Sequence, residues 1–215
     1  MHRLVTGIVN LNLLSAFVPT FFLVSLTPGM CMTLSLSLGI TIGVRRTLWM
    51  MAGELAGVGL VAVAAVVGAA TLMLRYPGAF AALKYGGGLY LGYLGIQMWR
   101  SRGRLALPDE GDAGRRPVSR WQLTVQGFVT AVANPKGWAF FIVLLPPFID
   151  GDLAMAPQLT ILVGMILVIE FLCLVLYAKG GRTLSRFLQD AGHVRTLNRL
   201  AGSLMIGVGI WLAAG

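Results

Sequence analysis

Ser25-Leu26-Thr27-Pro28-Gly29 and Ala133-Asn134-Pro135-Lys136-Gly137 each set a proline near the middle of an apolar span, and the two spans are far apart in the chain. A proline inside a helix removes a backbone donor and frees a carbonyl about four residues back, here near Val24 and Ala131. In lipid such freed groups are tolerated only where they face protein or a water-filled cavity. Two broken spans in corresponding positions of two halves point to a transporter's binding site. The pair therefore predicts both the architecture and the place where it works.

The surrounding composition agrees. The 215 residues are 57% hydrophobic and 12% charged, with a mean hydropathy of +0.80, which is the make-up of a membrane protein. That length holds about six spans of ~20 residues with short connections. Six apolar runs stand out, near Asn12–Ile40, Leu48–Leu74, Ala79–Trp99, Trp121–Phe148, Gln158–Ala178 and Leu200–Ala214. The expected fold class is an all-α polytopic membrane protein of six transmembrane helices, with the first and fourth broken at proline. The first run is longer than one straight span needs, as a broken or tilted helix would be.

Charge placement sets the expected orientation. Alternating spans put Thr41–Thr47, Arg100–Arg120 and Lys179–Arg199 on one face, and these connections hold thirteen of the seventeen basic residues. The opposite face has Arg3 and Arg75. By the positive-inside rule the basic face is cytoplasmic and both termini are outside. The net charge of +9 then reports topology and contact with anionic lipid, and not nucleic-acid binding.

Arg100–Arg120 is also the long polar segment that divides the chain, giving a three-helix repeat over 1–100, a cytoplasmic loop over 101–120 and a second repeat over 121–215. Placing Leu83–Trp99 over Leu197–Ala213 matches Gly88 with Gly202, Gly95 with Gly209 and Ile96 with Ile210. An odd number of spans per half inserts the second half upside down, a 3+3 inverted repeat. Gly39/Gly43, Gly53/Gly57 and Gly88/Gly92 have the small-xxx-small spacing that lets helix backbones approach closely. The same spacing would serve packing within one chain or a homodimer, and both readings stay open at this level.

Three ionisable side chains fall deep inside spans. Glu54 follows Thr47 by seven residues and Glu170 precedes Lys179 by nine, about 10 and about 13 Å of helix at 1.5 Å per residue. A charge near the midplane costs on the order of 3 kcal/mol on insertion scales, so each should face the bundle interior. Both carboxylates are candidates for proton coupling, set against a permanent pairing with Lys136. Lys136 in turn could hold the carboxylate of a passing amino acid or lock onto Glu54 or Glu170. The helix restarting after Pro28-Gly29 would offer backbone donors and a positive dipole end that suits a carboxylate. Met30, Thr33 and Ser37 share one face of that helix. The expected substrate site therefore comprises Thr27, Pro28, Gly29, Met30, Thr33, Asn134, Pro135 and Lys136.

In order and spacing these segments resemble the LysE/RhtB family of bacterial amino-acid exporters, over nearly the whole length. The resemblance rests on Thr27-Pro28-Gly29, on Gly39, Gly43, Arg45 and Arg46, and on Leu83-Lys84-Tyr85. It continues through Leu89-Tyr90-Leu91-Gly92-Tyr93-Leu94-Gly95, Asn134-Pro135-Lys136 and Leu197-Asn198-Arg199-Leu200-Ala201-Gly202. It implies efflux of amino acids or derivatives across the inner membrane, driven by the proton or membrane-potential gradient. One departure stands inside the first motif: the family usually continues Pro-Gly-Pro-Asn, whereas this chain reads Pro28-Gly29-Met30-Cys31.

Two other transporter chemistries compete. A membrane thiol-disulfide electron transporter needs two cysteines that meet in equivalent spans, but Asn134-Pro135-Lys136 has no cysteine beside it and Cys173 lies in the next span. A divalent metal exporter wants clustered His, Cys or carboxylate ligands, and His2 and His193 lie outside the spans. No serine–histidine, paired-aspartate or His-Glu-x-x-His arrangement argues for an enzyme. No cofactor or metal is expected, and the expected partners are a small amino-acid substrate, protons and lipid.

Overall fold

The computed structural model describes residues 11–75, 77–100, 118–145, 148–149 and 153–214. Eight α-helices occupy them: α1 (Leu11–Leu26), α2 (Met30–Thr41), α3 (Val44–Arg75), α4 (Pro77–Arg100), α5 (Arg120–Val132), α6 (Pro135–Leu144), α7 (Met155–Gln189) and α8 (Ala191–Ala214). Most of the Arg100–Arg120 loop, the connection with Asp150 and Asp152, and the N-terminal residues with His2 and Arg3 lie outside the described residues.

Val44–Gly68 and Met155–Gly181 are long and apolar enough to cross a membrane. Phe17–Leu26 with Met30–Thr41 makes a third such span if the pair, bent by 56°, is taken as one. Proline alone does not make that bend, since α1 carries Pro19 within it. What breaks the helix is Pro28 followed by Gly29, whose backbone is fully extended (φ −140°, ψ −174°).

Two expected connections differ from the structure. Thr41–Thr47 shrinks to Ile42 and Gly43, because Gly43 takes a positive φ of 80° that turns the chain at once. Lys179–Arg199 is helical on both sides of a single step: α7 runs on to Gln189 through a bend at Gly181 (φ 46°), and α8 starts at Ala191. Arginine and leucine are good helix formers, so a basic surface segment need not be a loop. At the other end of the loop, Ser119 and Gln122 form a reciprocal capping box that starts α5.

Three helix pairs make backbone-close contacts. Ser35 donates to the Leu174 carbonyl at 2.8 Å and Gly39 lies against Ala178, so α2 and α7 run parallel. Gly53 lies against Thr124 and Gly57 against Phe128, so α3 and α5 also run parallel. Gly88 meets Gly209 and Gly95 meets Gly202, which makes α4 and α8 antiparallel. Gly39, Gly53, Gly57 and Gly88 thus permit close approach within one chain, whereas a Cβ on Gly92 would meet nothing within 4 Å and Gly43 is used for its turn instead. At one end of the bundle Arg46 donates to the Val118 carbonyl at 2.7 Å and Arg120 stacks over Trp49 at 5.3 Å.

The apolar interior divides in two. One cluster is aromatic, with Phe17, Phe21, Phe140, Phe141 and Phe148 packed on Val58, Val61, Leu162 and Ile166; Phe17 and Phe148 meet edge to face at 5.0 Å. The other holds Met32, Leu36, Met50, Met51, Leu123, Leu174 and Tyr177, with Cys31 and Cys173 among them as free thiols.

A Cβ at Gly95 would stand 2.6 Å from the Gly202 carbonyl oxygen, whereas one at Gly86 meets nothing within 4 Å. Gly95→Val should therefore cost ~1–3 kcal/mol by overpacking and lower the unfolding midpoint in detergent. Gly86→Ala should hold or raise it, by up to ~1 kcal/mol of helix propensity. Equal midpoints for the two variants would refute the α4–α8 contact.

Candidate functional site

Breaking a helix strands carbonyl oxygens, and the first break provides a donor for each of three. Thr27 closes locally, its hydroxyl donating to the Leu23 carbonyl at 2.9 Å. The Val24 carbonyl, where the sequence places the freed group, accepts from the Lys136 ammonium at 3.0 Å and from the Thr27 amide at 3.2 Å. The Leu26 carbonyl accepts from the Tyr177 hydroxyl at 2.8 Å. Of these four donors, the Lys136 ammonium and the Tyr177 hydroxyl come from the other half of the chain.

The second break is solved from within. Asn134 caps α6, its side-chain oxygen accepting from the Lys136 amide at 3.1 Å, and Pro135 follows at the first helical position. The Ala131 carbonyl takes the Asn134 amide at 3.2 Å and the Val132 carbonyl takes the Trp138 indole at 2.8 Å. The Asn134 amide group also points at Cys31, 3.8 Å from its sulfur. By contrast, α2 starts at Gly29 with no side-chain cap, so its first amides remain available to a ligand.

Between the breaks lies a cavity of about 60 Å³, room for a few waters. The break itself contributes Thr27 and Gly29, α3 contributes Glu54, Val58 and Val61, and α7 contributes Glu170. Asn134 and Lys136 enter from the second break, and Phe21, Phe140 and Phe141 form the aromatic wall. A Cβ on Gly29 would stand 4.0 Å from the Lys136 ammonium, so this cation faces the open end of α2. Pro28, Met30, Thr33 and Pro135 lie on the flanking turns and do not line the cavity; Met30 is 49% exposed. Ser35 of α2 ties that helix to α7.

The three mid-span charges share this cavity, but not as a salt bridge. Among the described residues no carboxylate lies within 4.0 Å of the Lys136 nitrogen. Glu170, Ser25 and Lys136 all line it. Glu54 is fully buried, and neither of its carboxyl oxygens has a hydrogen-bond partner; Glu170 and the Cys31 thiol are its polar neighbours. Among the described residues no group of three His, Cys, Asp or Glu side chains could hold a metal ion.

Ser25 and Tyr177 were not singled out from the sequence. Tyr177 had a signal: it follows Glu170 by seven residues, two turns along the same helix face. Ser25 had none beyond its place before Thr27-Pro28.

The profile of the LysE type translocator family matches residues 22–215. The homoserine/homoserine lactone efflux protein of Salmonella typhimurium is 31% identical over 199 residues, covering 93% of this chain and 95% of that protein. The leucine efflux protein of Klebsiella pneumoniae is 28% identical over 207 residues, 94% and 95% of the two chains. An uncharacterized membrane protein of Vibrio cholerae is 29% identical over 198 residues, 92% and 95%. No solved structure matches significantly.

Tyr177→Phe removes one donor and leaves the Leu26 carbonyl buried without it. The expected loss is ~1–3 kcal/mol, read as a lower unfolding midpoint in detergent; an unchanged midpoint would show that the bond does not hold the break.

Proposed function

Because the chain belongs to the LysE family of translocators, we propose that it exports amino acids or their derivatives across the bacterial cytoplasmic membrane by proton-coupled alternating access. One observation carries this reading: ionisable groups of both signs, Lys136, Glu54 and Glu170, line one cavity at the meeting of two helix breaks. Family membership and efflux relatives support export over the thiol and metal chemistries.

The roles follow from charge. Lys136 spends one of three N–H donors on Val24 and, with the uncapped amides of α2, receives the substrate carboxylate. Thr27 and Gly29 shape that seat, and Asn134 holds Lys136 beside it. Pro28 and Pro135 keep the two breaks open, while Met30 and Thr33 come to the substrate when α1 and α2 part. Glu54 and Glu170 carry the coupled protons.

Six spans in two inverted halves, 1–100 and 121–215 with a cytoplasmic 101–120 loop and both termini outside, fit the helix directions. Alternation makes the first and fifth spans parallel, the second and fourth parallel, and the third and sixth antiparallel. The contacts of α2 with α7, α3 with α5 and α4 with α8 have those senses. A two-fold relation also requires each contact between unlike positions to occur twice. Gly88–Gly209 and Gly95–Gly202 are such a reciprocal pair if Gly88 corresponds to Gly202 and Gly95 to Gly209.

Two experiments test the proposal. In everted vesicles an acid-inside gradient should drive accumulation of labelled amino acid, and Glu54→Gln should abolish the uphill component; uphill transport that persists in the variant removes Glu54 from coupling. A cysteine placed at Gly111 should react with impermeant maleimide only from the cytoplasmic face. Labelling from outside intact cells would overturn the orientation.

A further inference from the structure

Lys136 donates to the Val24 carbonyl, and Glu170 and Ser25 line the cavity with it. Glu54 is fully buried and lines the same cavity, with no hydrogen-bond partner on either oxygen. A buried carboxylate whose polar neighbours are a thiol and a second carboxyl is costly as an anion and is relieved by a proton or by a cation.

We infer that Glu54 is the seat of the substrate's α-ammonium group and that a proton and the ammonium occupy it in alternation. This rests on the export reading above and adds the reason for coupling. The carboxylate end of a bound amino acid goes to Lys136 and the open end of α2. Its ammonium goes to Glu54, whose carboxylate supplies the acceptors that an ammonium's three N–H groups need.

The groups facing Glu54 define the competition. Cys31 comes from α2 and Glu170 from α7, Lys136 lies across the cavity from α6, and α5 brings only Gly127 against its backbone. One carboxylate cannot hold a proton and pair with an ammonium at once. On the cytoplasmic side Glu54 releases its proton and takes the ammonium. On the outer side the ammonium departs and a proton replaces it.

The test uses the purified full chain in proteoliposomes, with counterflow of labelled leucine and labelled homoserine. Competitors are the unlabelled amino acid, the 2-hydroxy acid with leucine's side chain and leucinamide. In the wild-type protein the hydroxy acid should compete at least tenfold more weakly than leucine. Lowering the pH on the binding side should weaken leucine while leaving the hydroxy acid unchanged. In Glu54→Gln the gap between leucine and the hydroxy acid should shrink to within threefold. A hydroxy acid that competes as well as leucine in the wild-type protein overturns the ammonium seat while leaving amino-acid export intact. If neither leucine nor homoserine nor any of the other standard amino acids exchanges, export itself fails and this inference with it. The wild-type competitor series decides the matter even if the variant does not fold.

Discussion

A backbone carbonyl freed inside an apolar bundle has to be given a donor, and this molecule is organised around that demand. The Thr27-Pro28-Gly29 break strands the oxygens of Val24 and Leu26, and the chain answers with Lys136 and Tyr177 from its other half. Each bond satisfies a buried group whose desolvation would otherwise cost ~1–3 kcal/mol. Each also ties α1 to an element more than a hundred residues away. The break could not persist if the two halves were apart, and Lys136 could not be held at the cavity if the helix were whole.

The bonds need the helices close, and small residues make that possible. Where Gly39 meets Ala178, Gly53 meets Thr124 and Gly95 meets Gly202, no room exists for a larger side chain without displacing backbone. In lipid, where burying apolar surface gives no drive for helices to associate, such contacts and the cross-chain hydrogen bonds carry the assembly. They also set the directions of neighbouring helices, and so decide which faces of α3 and α7 turn inward. Glu54 and Glu170 lie on those faces.

The polar centre lies between an aromatic cluster and a methionine-rich one. The two breaks meet it differently. Asn134 satisfies the start of α6 locally and leaves nothing unpaired, while Gly29 leaves the start of α2 open. A capped helix start thus opposes one without a side-chain cap. Replacing such a buried polar set with apolar side chains would often stabilise a fold, so its presence is better accounted for by work than by stability.

Much of this was legible in the residues. Helical content and membrane character follow from composition, because apolar backbone in lipid must form helices to satisfy itself. The two breaks, and the carbonyls they free near Val24 and Ala131, follow from proline chemistry. The inward positions of Glu54, Glu170 and Lys136 follow from the cost of charge at depth. Family membership was readable from short motifs in order. The helical run through Lys179–Arg199 was not, since a basic segment reads as a loop until the bend at Gly181 is seen. Which groups partner one another is a matter of long-range geometry. The sequence left Lys136 free to pair with either glutamate; only the tertiary structure aims it at the Val24 carbonyl, brings Tyr177 to Leu26 and leaves Glu54 alone. Pairing depends on which helix faces meet, and that is decided by packing between segments that local pattern does not connect.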